Sequence, residues 1–206
     1  MPVAALLATL LTGFGAGASL IVAIGAQNAY VLRQGLRREH VLTIVLICIV
    51  SDGVLIAAGV AGIGAVIKAA PLALVIVRWA GFAFLLLYAL FAAQRALRPE
   101  RMDASNGAPR TTTAWAAAAA CLALTWLNPH VYLDTILLLG SLSASHGDPG
   151  RWIFGAGATL ASIVWFGMLG YGARYLAPVF ARPIAWRILD AGIAVLMVVL
   201  AILLVL

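Results

Sequence analysis

The chain has 206 residues, of which 65% are hydrophobic and only 10% are charged, and its formal net charge is +6. Soluble domains contain about 45–50% apolar and about 25% charged residues, so a soluble globular fold is excluded and the excess apolar surface must face lipid. The positive charge does not indicate nucleic-acid binding, because the basic residues lie in short linkers between apolar segments.

Six apolar segments follow one another along the chain, and each is long enough to cross about 30 Å of hydrocarbon as a helix. They lie at residues 3–32, 41–67, 72–93, 114–144, 151–173 and 186–206. The pattern predicts an all-α integral membrane protein with about six transmembrane helices. We expect residues 1–206 to form a single transmembrane transport domain embedded in the lipid bilayer.

One long polar linker, at residues 94–113, divides the chain into halves of three segments each, about 1–93 and 114–206. Because three is odd, the halves must have opposite topologies in the membrane, an arrangement that many transporters share. The motif Asn-Ala-Tyr-Val at 28–31 also recurs as Asn-Pro-His-Val at 128–131. We therefore predict two inverted three-helix repeats.

The distribution of basic residues predicts the orientation. The linkers after the first, third and fifth segments hold ten arginines, whereas the opposite side holds three basic residues. The ten are Arg33, Arg37, Arg38, Arg95, Arg98, Arg101, Arg110, Arg174, Arg182 and Arg187, and the three are Lys68, Arg78 and Arg151. Positive linkers stay in the cytoplasm, so six spans would place both termini outside.

The first and fourth segments are unusually long, and each contains residues that weaken a helix. Gly25 precedes Gln27 and Asn28 in the first, and Asn128 and Pro129 follow one another in the fourth. Backbone groups freed by such breaks are tolerated in lipid where they line protein or a water-filled cavity. We predict that helices 1 and 4 are broken and line a substrate path; the alternative is a kink in a packed helix.

Two acidic residues, Asp52 and Asp134, lie inside apolar segments. Each costs about 2.5–3.5 kcal/mol to insert at the centre of a membrane helix, so an ionisable residue at that depth indicates a function. The structural alternative is a protonated carboxyl group or an ion pair, for which Arg78 is the candidate partner or gating residue.

Other candidates carry weaker signals. His130 could relay a proton, although a histidine beside a helix break is more often a structural hydrogen-bonding group. Tyr30 and Trp126 could pack against a cationic substrate, with core filling as the alternative. Asp190 is interpreted as a charge near the N-terminus of the sixth helix. The glycines predicted to allow close helix packing are Gly13, Gly15, Gly17, Gly59, Gly62 and Gly64.

The sequence contains no phosphate-binding loop, zinc-ligand cluster or serine-nucleophile motif. We therefore predict that the protein is not an enzyme and that it needs no cofactor and no resident metal.

Three motifs resemble the lysine/arginine exporter (LysE-type) family of bacterial inner-membrane amino-acid exporters. They are Gly-Ala-Gln-Asn-Ala-Tyr-Val-Leu-Arg-Gln-Gly at 25–35, Ser51-Asp52, and Thr-Trp-Leu-Asn-Pro-His-Val-Tyr-Leu-Asp-Thr at 125–135. The resemblance extends to length, number of spans and the polar linker. The related exporters of neutral amino acids and homoserine differ in the first and third motifs, so Gln27 and His130 favour a basic amino-acid substrate.

The resemblance implies efflux of lysine or arginine across the bacterial inner membrane. Asp52 and Asp134 would receive the cationic side chain, and split-helix N-termini near Asn28 and Asn128 would hold the substrate carboxylate. Exporting one positive charge against 100 mV costs about 2.3 kcal/mol, which the entry of one proton would cancel. The hypothesis is proton-linked antiport by alternating access, with the oligomeric state, including a homo-oligomer, left open.

Three alternatives remain open. The same fold could export neutral amino acids or homoserine. A metal-cation exporter is a second alternative, against which we weigh the absence of further acidic or sulfur ligands around the two aspartates in the sequence. The third is a membrane thiol–disulfide electron carrier that uses Cys48 and Cys121, which lie in different segments and would have to come into contact.

Overall fold

Long apolar stretches with few helix breakers fold into helices throughout the described part of the chain. The computed structural model describes residues 2–22, 25–62, 71–97, 113–176 and 178–206. The helices are α1 (Val3–Ile21), α2 (Ala26–Arg37), α3 (Val41–Val60), α4 (Pro71–Leu97), α5 (Ala114–Trp126), α6 (Pro129–Ala144), α7 (Gly147–Gly172) and α8 (Pro183–Val205). Short 3-10 turns at Ala173–Leu176 and Val179–Ala181 connect α7 to α8. The all-α prediction is confirmed.

Five of these helices, α1, α3, α4, α7 and α8, are long and apolar enough to cross a membrane. Helices α5 and α6 make a sixth span if they are counted together, with a bend of 60° between them. Large apolar side chains are exposed along the outer faces of the long helices, as lipid contact requires. The described residues therefore contain five or six candidate membrane spans, in agreement with the prediction of about six.

One predicted segment contains its predicted break and one boundary lies further along the chain. In the segment predicted at 3–32, α1 ends at Ile21 and α2 begins at Ala26 and continues to Arg37. Helix α4 continues to Leu97, into the predicted linker 94–113, because residues 94–97 include no glycine or proline and the next proline is Pro99.

Most of the linker, with Arg98, Arg101 and Arg110, lies outside the described residues, as do Lys68 and Gly64.

Glycines bring the helices of the bundle into backbone contact. Gly13 and Gly17 of α1 lie against the α7 backbone at Phe154 and Ala158, and Gly157 of α7 faces the Leu10 carbonyl. Such contacts give close van der Waals packing where lipid supplies no hydrophobic driving force between helices.

Gly59 packs in the same way against the α6 backbone at Thr135 and Ile136, so three of the predicted packing glycines are confirmed. Gly15 and Gly62 instead face open space.

The packing partners support the prediction of an inverted repeat. Helix α1 packs on α7, α3 packs on α5 and α6, α3 packs on α7, and α4 packs on α8. Exchanging the two halves converts the first contact into the second and leaves the other two unchanged. An inverted repeat requires this pairing of contacts.

We expect Gly157→Ala to lower the thermal stability of the purified protein and its abundance in the membrane. The added Cβ would overlap the Leu10 carbonyl, and overpacking of this kind costs about 1–3 kcal/mol. The matched control is Gly167→Ala on the same helix, where the added Cβ meets nothing within 4 Å. Equal melting temperatures for the two variants would show that α1 and α7 do not pack as described.

Candidate functional site

The break in helix 1 is held by one asparagine. Asn28 lies in the first turn of α2; its Nδ2 donates to the carbonyl of Ile21 at 2.7 Å, and its Oδ1 accepts from Trp165 Nε1 at 3.2 Å. Gly25 before it is extended, with φ −116° and ψ 175°. The Asn28 amide therefore replaces a lost backbone partner of α1 and ties the break to α7.

The break in helix 4 is held differently. Asn128 is extended and its side chain accepts from the backbone N–H of His130 at 3.1 Å, which makes it the N-cap of α6. Pro129 takes the first helical position, where its missing N–H costs nothing. The Tyr132 hydroxyl donates to the Trp126 carbonyl at 2.6 Å, which satisfies the end of α5. Both predicted helix breaks are confirmed.

Asp52 lies in the middle of α3 and is 5% exposed. Its Oδ2 accepts a hydrogen bond from Ser162 of α7 at 2.7 Å. Among the described residues, the ion pairs do not include Asp52. A buried carboxylate held by one neutral donor is costly inside a membrane, so its presence indicates a function.

Further polar side chains surround this carboxylate. Trp126 Nε1 donates to Ser51, the residue before Asp52, at 3.2 Å. On α7, Ser162 and Trp165 lie one turn apart, so a single helix face joins Asp52 to the helix 1 break. We call the six side chains that form these hydrogen bonds the central polar cluster. They are Asn28, Ser51, Asp52, Trp126, Ser162 and Trp165.

Gln27 borders the central polar cluster. Its side-chain amide lies beside Cys48, one turn before Asp52, and the Nε2 atom is buried without a hydrogen-bond partner among the described residues. The N-terminus of α2 has no side-chain cap, so it presents the positive end of a helix dipole near this amide. Both groups favour a negatively charged ligand.

Tyr30 lies elsewhere. Its hydroxyl donates to the Ala117 carbonyl of α5 at 3.1 Å and accepts from Gln34 at the same distance. Tyr30 is 3% exposed and packs edge-on against Tyr88, so in this structure it fills the core between α2, α4 and α5.

Asp134 lies in the π-helical stretch of α6, Tyr132–Leu139, and is half-buried. His130, one turn earlier, is exposed and interacts with it electrostatically. Short π-helical stretches occur frequently at functional sites, and this one was not predicted from the sequence.

The two aspartates do not meet in this structure. Gly59 of α3 touches the backbone of Thr135 and Ile136, so Asp134 lies near the level of Gly59. Asp52 is seven residues earlier on α3, roughly 10 Å along the helix axis. The bend of 60° and the π-helical stretch displace α6 from the position that a straight helix would take.

Arg78 is exposed on α4, and no ion pair among the described residues involves it. In this structure Ser162, rather than Arg78, is the partner of Asp52.

A second charged group was not predicted from the sequence. Asp190 is the eighth residue of α8 and 4% exposed, so it is not a charge in the first turn. Its Oδ1 accepts from Arg33 Nε at 2.9 Å and from Arg95 Nε at 3.2 Å. The only signal in the sequence was an acidic residue in an apolar segment, without any indication of its partners.

The two cysteines come together. Cys48 and Cys121 are free, both are 0% exposed, and their sulfur atoms lie 3.5 Å apart across the contact between α3 and α5. The two cysteines lie in different segments and nevertheless come into contact, because α3 and α5 pack directly on each other.

Within the described ranges, no group of three or more His, Cys, Asp and Glu side chains is arranged to hold a metal ion.

Comparison with known proteins identifies relatives over most of the chain. Residues 18–206 match the family model described as LysE type translocator. A proposed amino-acid transporter of Mycobacterium tuberculosis H37Rv is 52% identical, covering 89% of this chain and 90% of the relative. The lysine exporter LysE of Corynebacterium efficiens is 39% identical, covering 95% and 97%. The arginine exporter protein ArgO of Salmonella enteritidis PT4 is 42% identical, covering 92% and 89%. No solved structure matches.

Proposed function

The chain belongs to the LysE type translocator family, and on that premise we propose that it exports basic amino acids, lysine or arginine or both. The observation that carries the proposal is the Asp52 carboxylate, buried at the centre of the bundle with a serine as its hydrogen-bond donor. The ammonium or guanidinium group of the substrate would supply the missing positive charge. Neutral amino acids offer no such group in their side chains.

The substrate carboxylate would bind at the start of α2. The uncapped N-terminus of this helix and the unpartnered Gln27 amide provide the donors, and both lie near Asp52 along the Cys48 turn. Asp52 would then hold the cationic side chain of a basic amino acid, and the α2 N-terminus and Gln27 would hold its carboxylate. Trp126 would line the path beside Ser51.

The second break would line another part of the same path. Asn128 and Pro129 create the bend, and Asp134 with His130 follows it. Because Asp134 lies roughly 10 Å from Asp52 along the bundle, we propose that the substrate meets the two carboxylates at different steps. Arg78, exposed on α4, remains a gating candidate at that step.

We propose proton-linked antiport by alternating access in the bacterial inner membrane, with both termini outside. Asp52 is closed off in this structure, so a second conformation must expose it. A proton moving inward as one substrate cation moves outward would leave the charge balance unchanged, which avoids about 2.3 kcal/mol per 100 mV.

Asp52→Asn should reduce efflux of lysine and arginine at least about tenfold, because losing one partner of a buried ion pair costs about 3–5 kcal/mol. Efflux is measured from cells preloaded with lysine- or arginine-containing dipeptides, at matched membrane abundance. Asp134→Asn is expected to reduce efflux as well. The control is Asp148→Asn, whose carboxylate is exposed and paired with Arg151. Efflux at the wild-type rate in Asp52→Asn would contradict the proposed site.

Proton coupling predicts that a proton uncoupler slows lysine efflux when the substrate gradient is held constant. A potassium ionophore that collapses only the membrane potential should have little effect, because the exchange moves no net charge. Efflux that resists the uncoupler would argue for another coupling ion.

One observation supports the alternative function of a thiol–disulfide electron carrier. The Cys48 and Cys121 sulfur atoms are only 3.5 Å apart. Both thiols are buried, however, and buried cysteine commonly acts as a small apolar side chain.

The Cys48→Ser, Cys121→Ser double variant should therefore retain lysine and arginine efflux at the wild-type level, measured at matched membrane abundance. Loss of efflux from a folded double variant would support the alternative of a thiol–disulfide electron carrier.

The remaining rivals are the export of neutral amino acids or homoserine and the export of metal cations. The first is separated by competition in the efflux assay, and the charge of Asp52 favours the basic substrate. The described residues offer no cluster of metal ligands, which leaves the second without support.

A further inference from the structure

One carboxylate is shared by two guanidinium groups near the end of the bundle that the arginine distribution predicts to face the cytoplasm. Asp190 Oδ1 accepts from Arg33 of α2 at 2.9 Å and from Arg95 of α4 at 3.2 Å. The group therefore carries one excess positive charge, and Asp190 keeps a partner if either arginine departs. A purely structural ion pair would need only one of them.

Arg95 is the more weakly held of the two arginines. Its side chain is 31% exposed, compared with 8% for Arg33, and its hydrogen bond to Asp190 is the longer one. Its buried Nη2 atom has no hydrogen-bond partner among the described residues. Arg95 can therefore leave Asp190 at a lower cost than Arg33 can.

The contacts of Arg95 indicate which kind of ligand Tyr88 and Asp190 can bind. Its guanidinium carbon lies 5.7 Å from the centre of the Tyr88 ring, while its Nε donates to Asp190. A carboxylate together with an aromatic ring is a common arrangement for binding a guanidinium or ammonium group. Tyr88 and Asp190 lie on α4 and α8, which pack along each other, so these two groups stay together when Arg95 departs.

We propose that Asp190 and Tyr88 form a subsite for the cationic side chain of lysine or arginine, and that Arg95 occupies it here as a competitor of the substrate. The proposal rests on the export function proposed above and adds a cation subsite distinct from Asp52. Its place at the predicted cytoplasmic end suits the first contact of a substrate that moves outward. Arg33 remains on Asp190 and keeps the carboxylate paired during the exchange.

The test is Arg95→Gln, which removes the competitor and leaves the Arg33–Asp190 pair. The internal arginine concentration for half-maximal efflux should fall about threefold, as expected when a partly exposed ion pair no longer competes. Arginine binding to the purified protein in lipid nanodiscs should tighten by the same factor. If Arg95 has only a structural role, its loss should raise the half-maximal arginine concentration and weaken arginine binding, or leave both unchanged. Either result would overturn the proposal.

Three further variants sharpen the test. Arg95→Lys keeps a competing cation and should bind arginine much as the wild type does. Arg187→Gln removes an exposed arginine three residues from Asp190 on the same helix and should change nothing. Asp190→Asn in the Arg95→Gln background should cancel the gain, because the carboxylate that receives the substrate is gone.

The binding measurement separates this proposal from the export function. If the wild type exports neither amino acid but Arg95→Gln still binds arginine more tightly than the wild type, the subsite stands and the export function fails. If the wild type exports arginine but Arg95→Gln binds it no more tightly, the subsite is wrong and the export function stands.

Discussion

The structure depends on one constraint: a helix can be interrupted in hydrocarbon only where other groups take over the lost backbone hydrogen bonds. Both interruptions meet this constraint with an asparagine, in different ways. Asn28 reaches back to the Ile21 carbonyl and is itself held by Trp165, so the first break is fastened to α7. Asn128 caps the N-terminus of α6, and the Tyr132 hydroxyl donates to the carbonyl of Trp126 at the end of α5. The two asparagines therefore place polar side chains at both breaks, and α7 connects the first break to Asp52 through Trp165 and Ser162.

Two buried carboxylates of the bundle, those of Asp52 and Asp190, have different surroundings. Asp190 is surrounded by Arg33 and Arg95, with more positive charge than it needs. Asp52 has a serine hydroxyl as its hydrogen-bond donor. A chain under selection for stability alone would pair or replace a buried carboxylate, since a lone one is costly at this depth. This contrast is the reason for proposing an external cation at Asp52 and an exchangeable partner at Asp190.

Much of the fold could be predicted from the sequence, because apolar length sets the spans and a proline at 129 sets a break. The depth of Asp52 could be predicted for the same reason. The neighbours of Asp190 could not, because periodicity does not say which distant helices pack together. The separation of Asp52 from Asp134 along the bundle could not be predicted, because the sequence shows neither the π-helical stretch of α6 nor the size of the 60° bend. Arg33 was counted only as a linker charge.

The helices pack in two groups, and the Arg33–Asp190 ion pair connects one group to the other. Helices α4 and α8 pack mainly on each other, whereas α1, α2 and α3 pack closely on α7. Arg33 belongs to the second group and Asp190 to the first, so their bond joins the two groups at one end. Arg95 belongs to the same group as Asp190 and does not join them. A substrate cation that displaces Arg95 would therefore leave the bond between the two groups in place, because Arg33 stays on Asp190. Gln27 and Asn28 lie on the same short helix as Arg33, so α2 connects the Asp190 ion pair to the residues at the first helix break.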